Sequence, residues 1–76
     1  MPPRNKDLKV YCEKDGWELA RDTDHWYFRK VLDTGDILFT KVSHAVHKEI
    51  SMQLWAKILK TQLKISEKDF WDVVKR

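Results

Sequence analysis

Residues that form covalent or metal cross-links are scarce in this chain, which has one cysteine, Cys12, among its 76 residues. A single thiol allows neither an internal disulfide nor a thiolate zinc site, and this is typical of proteins from a reducing compartment. Only two glycines and two prolines are present, and the chain contains no linker, repeat or low-complexity tract. Apolar runs are only a few residues long, so we expect no signal peptide and no membrane span. These absences predict a cytoplasmic protein.

The composition is that of a small folded domain. A chain of 76 residues can bury only one small core, so residues 1–76 are predicted to form a single domain of marginal stability. Hydrophobic residues make up 42% of the chain and include four Trp, three Phe and two Tyr, which is more than a disordered chain contains. The 36% of residues that are charged are therefore expected on the surface of a folded structure.

Positive charge is concentrated in one part of the chain. The formal net charge is +3 at pH 7, and residues 37–64 carry five basic residues and one acidic residue. His44 and His47 lie in the same segment, and their charged forms are favoured near a polyanion. This distribution indicates a small basic surface of the kind that contacts nucleic acid.

The chain begins with a predicted helix. Residues 5–14 place Leu8, Tyr11 and Cys12 at helical spacing, and Gly16 follows as a C-terminal stop.

Three strands are predicted after this helix, over residues 17–21, 25–32 and 37–42. The polar residues 22–24 form the first turn. The second connection, residues 32–36, contains Gly35, which can adopt the positive φ that a tight hairpin requires. The strands therefore form an antiparallel meander.

The rest of the chain is predicted to be helical. Ser51 can cap a helix that continues through Leu63. Its core face is expected to carry Leu54, Trp55, Ile58, Leu59 and Leu63, and the opposite face Gln53, Lys57, Lys60 and Lys64. Ser66 and Asp69 have the spacing of a capping box, so a last short helix should run from about residue 67 to residue 75. Its inward residues are expected to be Phe70, Trp71 and Val74.

Together these elements predict an α+β fold of order α-β-β-β-α, with a short additional C-terminal helix. The helices should pack on one face of the three-stranded antiparallel sheet, since each helix has one apolar side to bury. The other face of the sheet should remain open.

Strand alternation then predicts which side chains share the open face. If Trp26 and Phe28 pack beneath the helices, His25, Tyr27 and Arg29 point to the other side. A titratable imidazole, an aromatic ring and a guanidinium would stand in one row on the middle strand.

The third strand extends this row. We expect Leu38 and Val42 to face the core, which turns Lys41 outward beside Arg29.

Several stretches of the chain resemble one family. They are Asp15-Gly16-Trp17-Glu18-Leu19, the polar turn into His25, the hairpin, Lys41-Val42-Ser43-His44, Lys48-Glu49-Ile50, and Leu54-Trp55-Ala56-Lys57-Ile58-Leu59-Lys60. In this order they are similar to the HicA toxins of bacterial and archaeal toxin-antitoxin pairs. The resemblance covers the chain from about Leu8 to Phe70. The chain differs where the family usually has Gly-Ser or Gly-Gly before the histidine, since Thr23-Asp24 stands here, and Lys64 occupies a position that is commonly glycine.

The resemblance implies a double-stranded-RNA-binding-domain-like fold and ribosome-independent cleavage of mRNA, neutralised by a HicB-type antitoxin. His25 matches the family's active-site histidine by its position at the start of the middle strand. No cofactor and no metal are expected in such an endoribonuclease. The residues expected to contact RNA are Tyr27, Arg29, Lys41, His44, Lys57 and Lys60.

Other interpretations stay open at this stage. The lysines of the long helix could simply form a solvated face. His44, His47 and Glu49 could suggest a metal site, but they lie in a polar loop without cysteine. The same fold could also serve as a non-catalytic RNA-binding module or as a protein-interaction domain.

Overall fold

A computed structural model describes residues 2–76 of the chain. Its elements are helix α1 (Asn5–Lys14), strands β1 (Glu18–Asp22), β2 (His25–Val31) and β3 (Ile37–Ser43), helix α2 (Met52–Lys57), a π-helical continuation of α2 (Ile58–Leu63), and helix α3 (Glu67–Val74). The predicted α-β-β-β-α order with a short last helix is confirmed. The bounds of α1 agree with the prediction, and those of each strand differ from it by one residue at most.

Helix α1 forms because its apolar residues lie on one side. Leu8, Tyr11 and Cys12 are all buried in the core. Gly16, at φ +80°, follows the C-cap residue and turns the chain toward β1, a backbone conformation that costs glycine little.

The three strands form one antiparallel sheet in the order β1-β2-β3. The β2–β3 register is continuous from the His25–Ser43 pair to the Val31–Ile37 pair. Gly35 lies in their connection at φ +91°, as the sequence predicts for this hairpin. The β1–β2 register is interrupted by an irregularity between Leu19 and Arg21.

Alternation along the strands separates the core face from the open face. The strand residues buried beneath the helices are Phe28, Leu38, Thr40 and Val42. Trp26 is half-buried against the same core. The predicted parity of β2 and β3 therefore agrees with the structure, and it leaves the opposite face of the sheet uncovered.

The long predicted helix changes its geometry in the middle. Ser51 caps it as expected, because its side chain accepts a hydrogen bond from the Leu54 backbone N–H at 3.2 Å. From Ile58 the chain continues as a π-helix, whose wider turn brings Ile58 and Leu63, five residues apart, into the core together. The segment ends at Lys64, at φ 56°.

The prediction that Leu54 faces the core is wrong, since this side chain is 49% exposed. The adjacent Trp55 takes the inward position, where its ring packs edge-on against Phe70 at a centroid distance of 4.7 Å. Consecutive residues of a helix point about 100° apart, so the core reaches Trp55 and not its neighbour.

Helix α3 begins where the capping pattern predicts. Ser66 accepts a hydrogen bond from the Asp69 backbone N–H at 3.1 Å. Phe70 is fully buried. Val73 is buried in the position expected for Val74, whereas Val74 and Trp71 only pack against the rim of the core. Phe70 and Val73 therefore form the covered side of α3.

Within residues 2–76, none of the helices has the length and apolar character needed to cross a bilayer.

Candidate active site on the open sheet face

The start of β2 places an imidazole on the open face of the sheet. His25 and Tyr27 lie on the same side of the strand, with ring centroids 6.1 Å apart. The His25 side chain retains 32% of its exposure, so the ring is partly shielded by its surroundings and still accessible to a ligand. The structure thus brings together the two residues that strand parity predicted at this position.

Asp24 connects the two rings. The Tyr27 hydroxyl donates a hydrogen bond to Asp24 Oδ1 at 3.0 Å, and the Thr23 hydroxyl donates to the same oxygen at 3.0 Å. The hydrogen bond from Tyr27 is the main reason why the pKa of the Asp24 carboxyl lies well below its ordinary value, with Thr23 and His25 acting in the same direction. Asp24 is therefore a carboxylate throughout the neutral range.

The second oxygen of this carboxylate faces the imidazole. Asp24 Oδ2 lies 3.2 Å from His25 Nδ1, and Nδ1 is shielded from solvent without a well-directed hydrogen bond to any atom. The distance is that of an ion pair, but the two groups belong to adjacent residues and the ring N–H is not aligned with the oxygen. Catalytic hydrogen bonds are often poorly aligned before a substrate binds. Because Nδ1 is shielded from solvent, any proton that His25 exchanges with a ligand must pass through Nε2.

Two cations flank Tyr27, one from each neighbouring strand. In the sheet register, Arg21 of β1 and Lys41 of β3 are the partners of Tyr27. The Arg21 guanidinium lies 6.0 Å from the centre of the Tyr27 ring, within the range of a cation–π contact. None of the ion pairs in the part of the chain that the structure describes involves Lys41. Two positive charges on either side of one aromatic ring can bind the phosphate or carboxylate group of a ligand.

Arg29 lies farther from the His25 imidazole than the predicted row of His25, Tyr27 and Arg29 suggests. It is four residues from His25, roughly 13 Å along an extended strand, and its Nη2 donates to Glu18 Oε2 at 3.2 Å. The direct partner of Arg29 in β3 is Phe39, and Lys41 is opposite Tyr27. Lys41 is therefore a diagonal neighbour of Arg29, two residues farther along β3.

His44 is directed away from the open face. Its ring packs edge-on against Trp26 at a centroid distance of 4.3 Å, and its Nε2 lies 3.3 Å from Asp22 Oδ1. Because Trp26 has the parity of the core face, His44 lies at the opposite side of the sheet from His25. The structure does not bring the two imidazoles together.

Lys57 and Lys60 belong to the helical layer. Both are exposed, but the helices pack on the face of the sheet that is opposite His25. The helical layer reaches the β3 edge, where the Thr40 hydroxyl donates to Gln62 Oε1 at 2.8 Å. These lysines therefore do not adjoin the His25 imidazole. Their contact with RNA stays a prediction.

No group of three or more His, Cys, Asp or Glu side chains in residues 2–76 is arranged to hold a metal ion. His44, His47 and Glu49, the residues considered for a metal site, do not form such a group. No part of the site has the donor set of a metal centre.

A cavity of about 240 Å³ elsewhere in the fold has a structural carboxylate in its wall. Asp15 Oδ2 accepts hydrogen bonds from the Tyr11 hydroxyl at 3.1 Å, the Trp17 indole at 3.0 Å and the Lys30 ammonium at 2.7 Å. Three donors on one oxygen satisfy this partly buried group. It connects α1 to the sheet and leaves His25 as the centre of the candidate chemistry.

Two residues of the site were absent from the sequence-based selection. Asp24 precedes His25, but only the folded turn directs its carboxylate toward both Tyr27 and the imidazole. Arg21 can be placed in the site only if the register of β1 is known, and the irregularity after Leu19 changes that register. Simple alternation of an unbroken strand could not have placed it opposite Tyr27.

Comparisons with other proteins give no further assignment, since neither a family model, nor a curated protein, nor a solved structure matches the chain.

Proposed function

We propose that this protein is a HicA-like toxin, a metal-independent endoribonuclease that cleaves mRNA in the cytoplasm and is neutralised by a HicB-type antitoxin. The observation that supports the proposal is the cluster of Asp24, His25 and Tyr27 on an open sheet face, flanked by Arg21 and Lys41. It combines a proton-transfer group with cations that can contact phosphate and an aromatic ring on which a base can stack.

The reaction uses the 2′-hydroxyl of the substrate as nucleophile. His25 Nε2 takes the proton of this hydroxyl while its oxygen attacks the adjacent phosphorus, and the bond from phosphorus to the 5′-oxygen breaks. The products are a 2′,3′-cyclic phosphate and a 5′-hydroxyl. The Asp24 carboxylate stabilises the imidazolium that forms, as carboxylates beside catalytic histidines do.

The cations next to Tyr27 supply the electrostatic part of the mechanism. Lys41 and Arg21 stabilise the negative charge that develops on the phosphoryl oxygens. Tyr27 is poorly suited as a general acid, because its hydrogen bond to the Asp24 carboxylate raises the pKa of the phenol. The leaving 5′-oxygen therefore takes its proton from Lys41 or from water, and Tyr27 provides a stacking surface for a base.

The antitoxin is expected to cover the same face. Steric exclusion of RNA is the simplest way to inhibit an enzyme of this size, and a partner opposite Arg21 and Lys41 should present acidic groups. Binding should also raise the thermal midpoint of the toxin, because the partner binds the folded state only.

Substitution of His25 tests the proposal. We expect His25→Ala to fold, bind RNA and lose cleavage activity by roughly a hundredfold or more. His44→Ala is the matched control, since it removes an imidazole from the opposite side of the sheet and should retain most activity. Wild-type cleavage should persist in EDTA and disappear on a substrate with a 2′-deoxy group at the cleaved position.

Full activity of folded His25→Ala contradicts the assignment. Loss of wild-type activity in EDTA would instead contradict its metal-independent chemistry.

A protein-interaction domain is the second candidate function, and a specific observation favours it. Val31 and Phe39 on the open face are each 61% exposed, and the exposed Ile37 is the direct partner of Val31. Contiguous exposed apolar side chains of this kind mark protein–protein contacts. Detectable cleavage by the purified wild-type protein separates the enzyme from this alternative and from a non-catalytic RNA-binding module.

A further inference from the structure

The outer edge of β3 is open for pairing. β3 is at the end of the sheet, with β2 as its only neighbour, and its register is uninterrupted over all seven residues. Alternate residues of an edge strand turn their N–H and C=O groups away from the sheet. Apart from the ladder with β2, no backbone group of Ile37–Ser43 is hydrogen-bonded to another backbone group of residues 2–76. The outward backbone donors and acceptors of β3 therefore have no backbone partner, and the helical layer reaches this edge at the Thr40–Gln62 hydrogen bond.

The opposite edge of the sheet differs in two ways. β1 is also an edge strand, but its register with β2 is shifted between Leu19 and Arg21, and such irregularities discourage pairing with another strand. It is also shorter, with five residues, and begins and ends with the acidic residues Glu18 and Asp22. β3 is the edge that can accept a regular partner strand.

The side chains along β3 add an apolar contact surface. Ile37 is 47% exposed and Phe39 is 61% exposed, both on the open face. Phe39 also forms one wall of a shallow recess of about 260 Å³, which is lined by Tyr27, Phe39, Thr40, Lys41 and Gln62. A single apolar side chain of a partner strand would fit beside Phe39 in this recess.

The charge of this edge determines which occupant it favours. Lys41 is the one charged residue of Ile37–Ser43, and it forms no ion pair within residues 2–76. A second copy that paired through its own β3 would bring another uncompensated lysine to this edge and no carboxylate. A carboxylate opposite Lys41 is attracted, because opposite charges on paired strands stabilise each other.

We propose that the outer edge of β3 binds an extended, acidic segment of another protein as a fourth strand of the sheet. The segment places an apolar side chain opposite Phe39 and a carboxylate opposite Lys41, and its backbone pairs with the free edge. This binding mode does not depend on RNA cleavage, because it uses the edge of the sheet and not the imidazole.

Peptide selection on the full chain provides the test. Displayed random peptides of about twelve residues are selected on the immobilised protein, and the consensus peptide is synthesised for fluorescence anisotropy. We expect the consensus to carry an apolar and an acidic residue two positions apart, because Phe39 and Lys41 lie on the same face of β3. N-methylation of every second residue should abolish binding in one alternation frame and spare it in the other, because only one set of N–H groups faces the protein.

Matched variants locate the bound peptide. Phe39→Thr should weaken binding roughly tenfold, whereas Val31→Thr, at the same 61% exposure on the central strand, should change it less than about twofold. Lys41→Glu should weaken binding by more than about tenfold, and Arg21→Glu on the β1 edge should have little effect.

Several results would overturn the proposal. One is a selection that yields no peptide above the background on an unrelated immobilised protein. Another is a set of selected peptides that bind equally to wild type and Phe39→Thr. Self-association that Phe39→Thr abolishes would identify a second copy as the occupant. RNA binding that Phe39→Thr weakens, with no peptide bound at this edge, would identify a nucleic-acid surface. His25→Ala should retain peptide binding, so failure of the proposed cleavage and failure of this edge interaction are observed separately.

Discussion

Tyr27 donates its hydroxyl hydrogen to Asp24 Oδ1 over 3.0 Å, and this contact holds the carboxylate beside the imidazole of His25. Because the carboxylate is fixed from one side by Tyr27, its second oxygen remains directed at His25 Nδ1. The turn before β2 thus does more than reverse the chain. It supplies an ionised partner for the residue that carries the proposed chemistry.

Replacement of Asp24 by Asn tests this relationship. The variant keeps the shape of the side chain but removes the charge that stabilises an imidazolium, so we expect cleavage to fall about tenfold to a hundredfold. The loss should appear in kcat, and RNA affinity should be unchanged or higher because one negative charge is gone. Nitrogen NMR of His25 should show Nδ1 protonated in the neutral wild-type ring and a mixture of tautomers in Asp24→Asn.

Asp22→Asn is the control for this prediction. It removes the same charge two residues away, from a carboxylate that faces His44. Equal effects of the two substitutions on kcat would mean that Asp24 contributes only to the general charge of the surface.

The salt dependence of RNA binding should identify the cations that contact phosphate. Arg21 and Lys41 flank Tyr27 on the open face. Their joint replacement by Gln should weaken binding to all RNA sequences and reduce the log-log salt slope by about 1.4, the value for two contacts with a single strand.

The Lys57→Gln/Lys60→Gln double variant makes the same charge change on the helical layer. We expect a smaller reduction of the slope, as measured by filter binding at several salt concentrations. A larger effect from the helical pair would place the RNA on the helices and not on the sheet.

Replacement of Lys64 by glycine should stabilise the folded protein. It is the only non-glycine residue of 2–76 with positive φ, at 56°, and it terminates the π-helical segment. An L-residue is strained in this conformation, so Lys64→Gly should raise the free energy of unfolding by about 0.5–1 kcal/mol. Lys60→Gly, inside the helical segment, should lower it by about 1 kcal/mol. Urea denaturation of both variants measures the difference in sign.

Stability should decline in alkaline solution because of two buried groups on α1. Burial, with a smaller effect from Asp15, raises the pKa of both Cys12 and Tyr11 far above their ordinary values of 9.0 and 10.0. Both groups must stay protonated in the folded protein, whereas the unfolded chain releases these protons above those values. The contribution of these two protonated groups to the free energy of unfolding is complete below about pH 9. It decreases as pH rises, by about 1.4 kcal/mol per pH unit for each group that is fully deprotonated in the unfolded chain.

Urea denaturation between about pH 8 and about pH 10.5 checks this dependence. Cys12→Ala should reduce the alkaline slope even though the variant is less stable at every pH, and Tyr11→Phe should remove a further part at the upper end of the range. An unchanged slope in Cys12→Ala would show that other groups cause the decline.

Local sequence determined most of the secondary structure. The spacing of Leu8, Tyr11 and Cys12, the turn at Gly35 and the caps at Ser51 and Ser66 each depend on neighbouring residues only. For this reason the helices, the hairpin and the face on which His25 and Tyr27 lie could be predicted without knowledge of the remaining chain.

Tertiary structure decided the details of packing and of the site. The π-helical turn arises because Ile58 and Leu63 must reach one core together, and the 3.6-residue period alone would not align them. Arg21 reaches Tyr27 only through the altered register of β1, and His44 is separated from His25 by its contact with Trp26. Sequence patterns encode which face a residue occupies, but distances between side chains on different elements depend on register and packing, which are settled only when the whole chain folds.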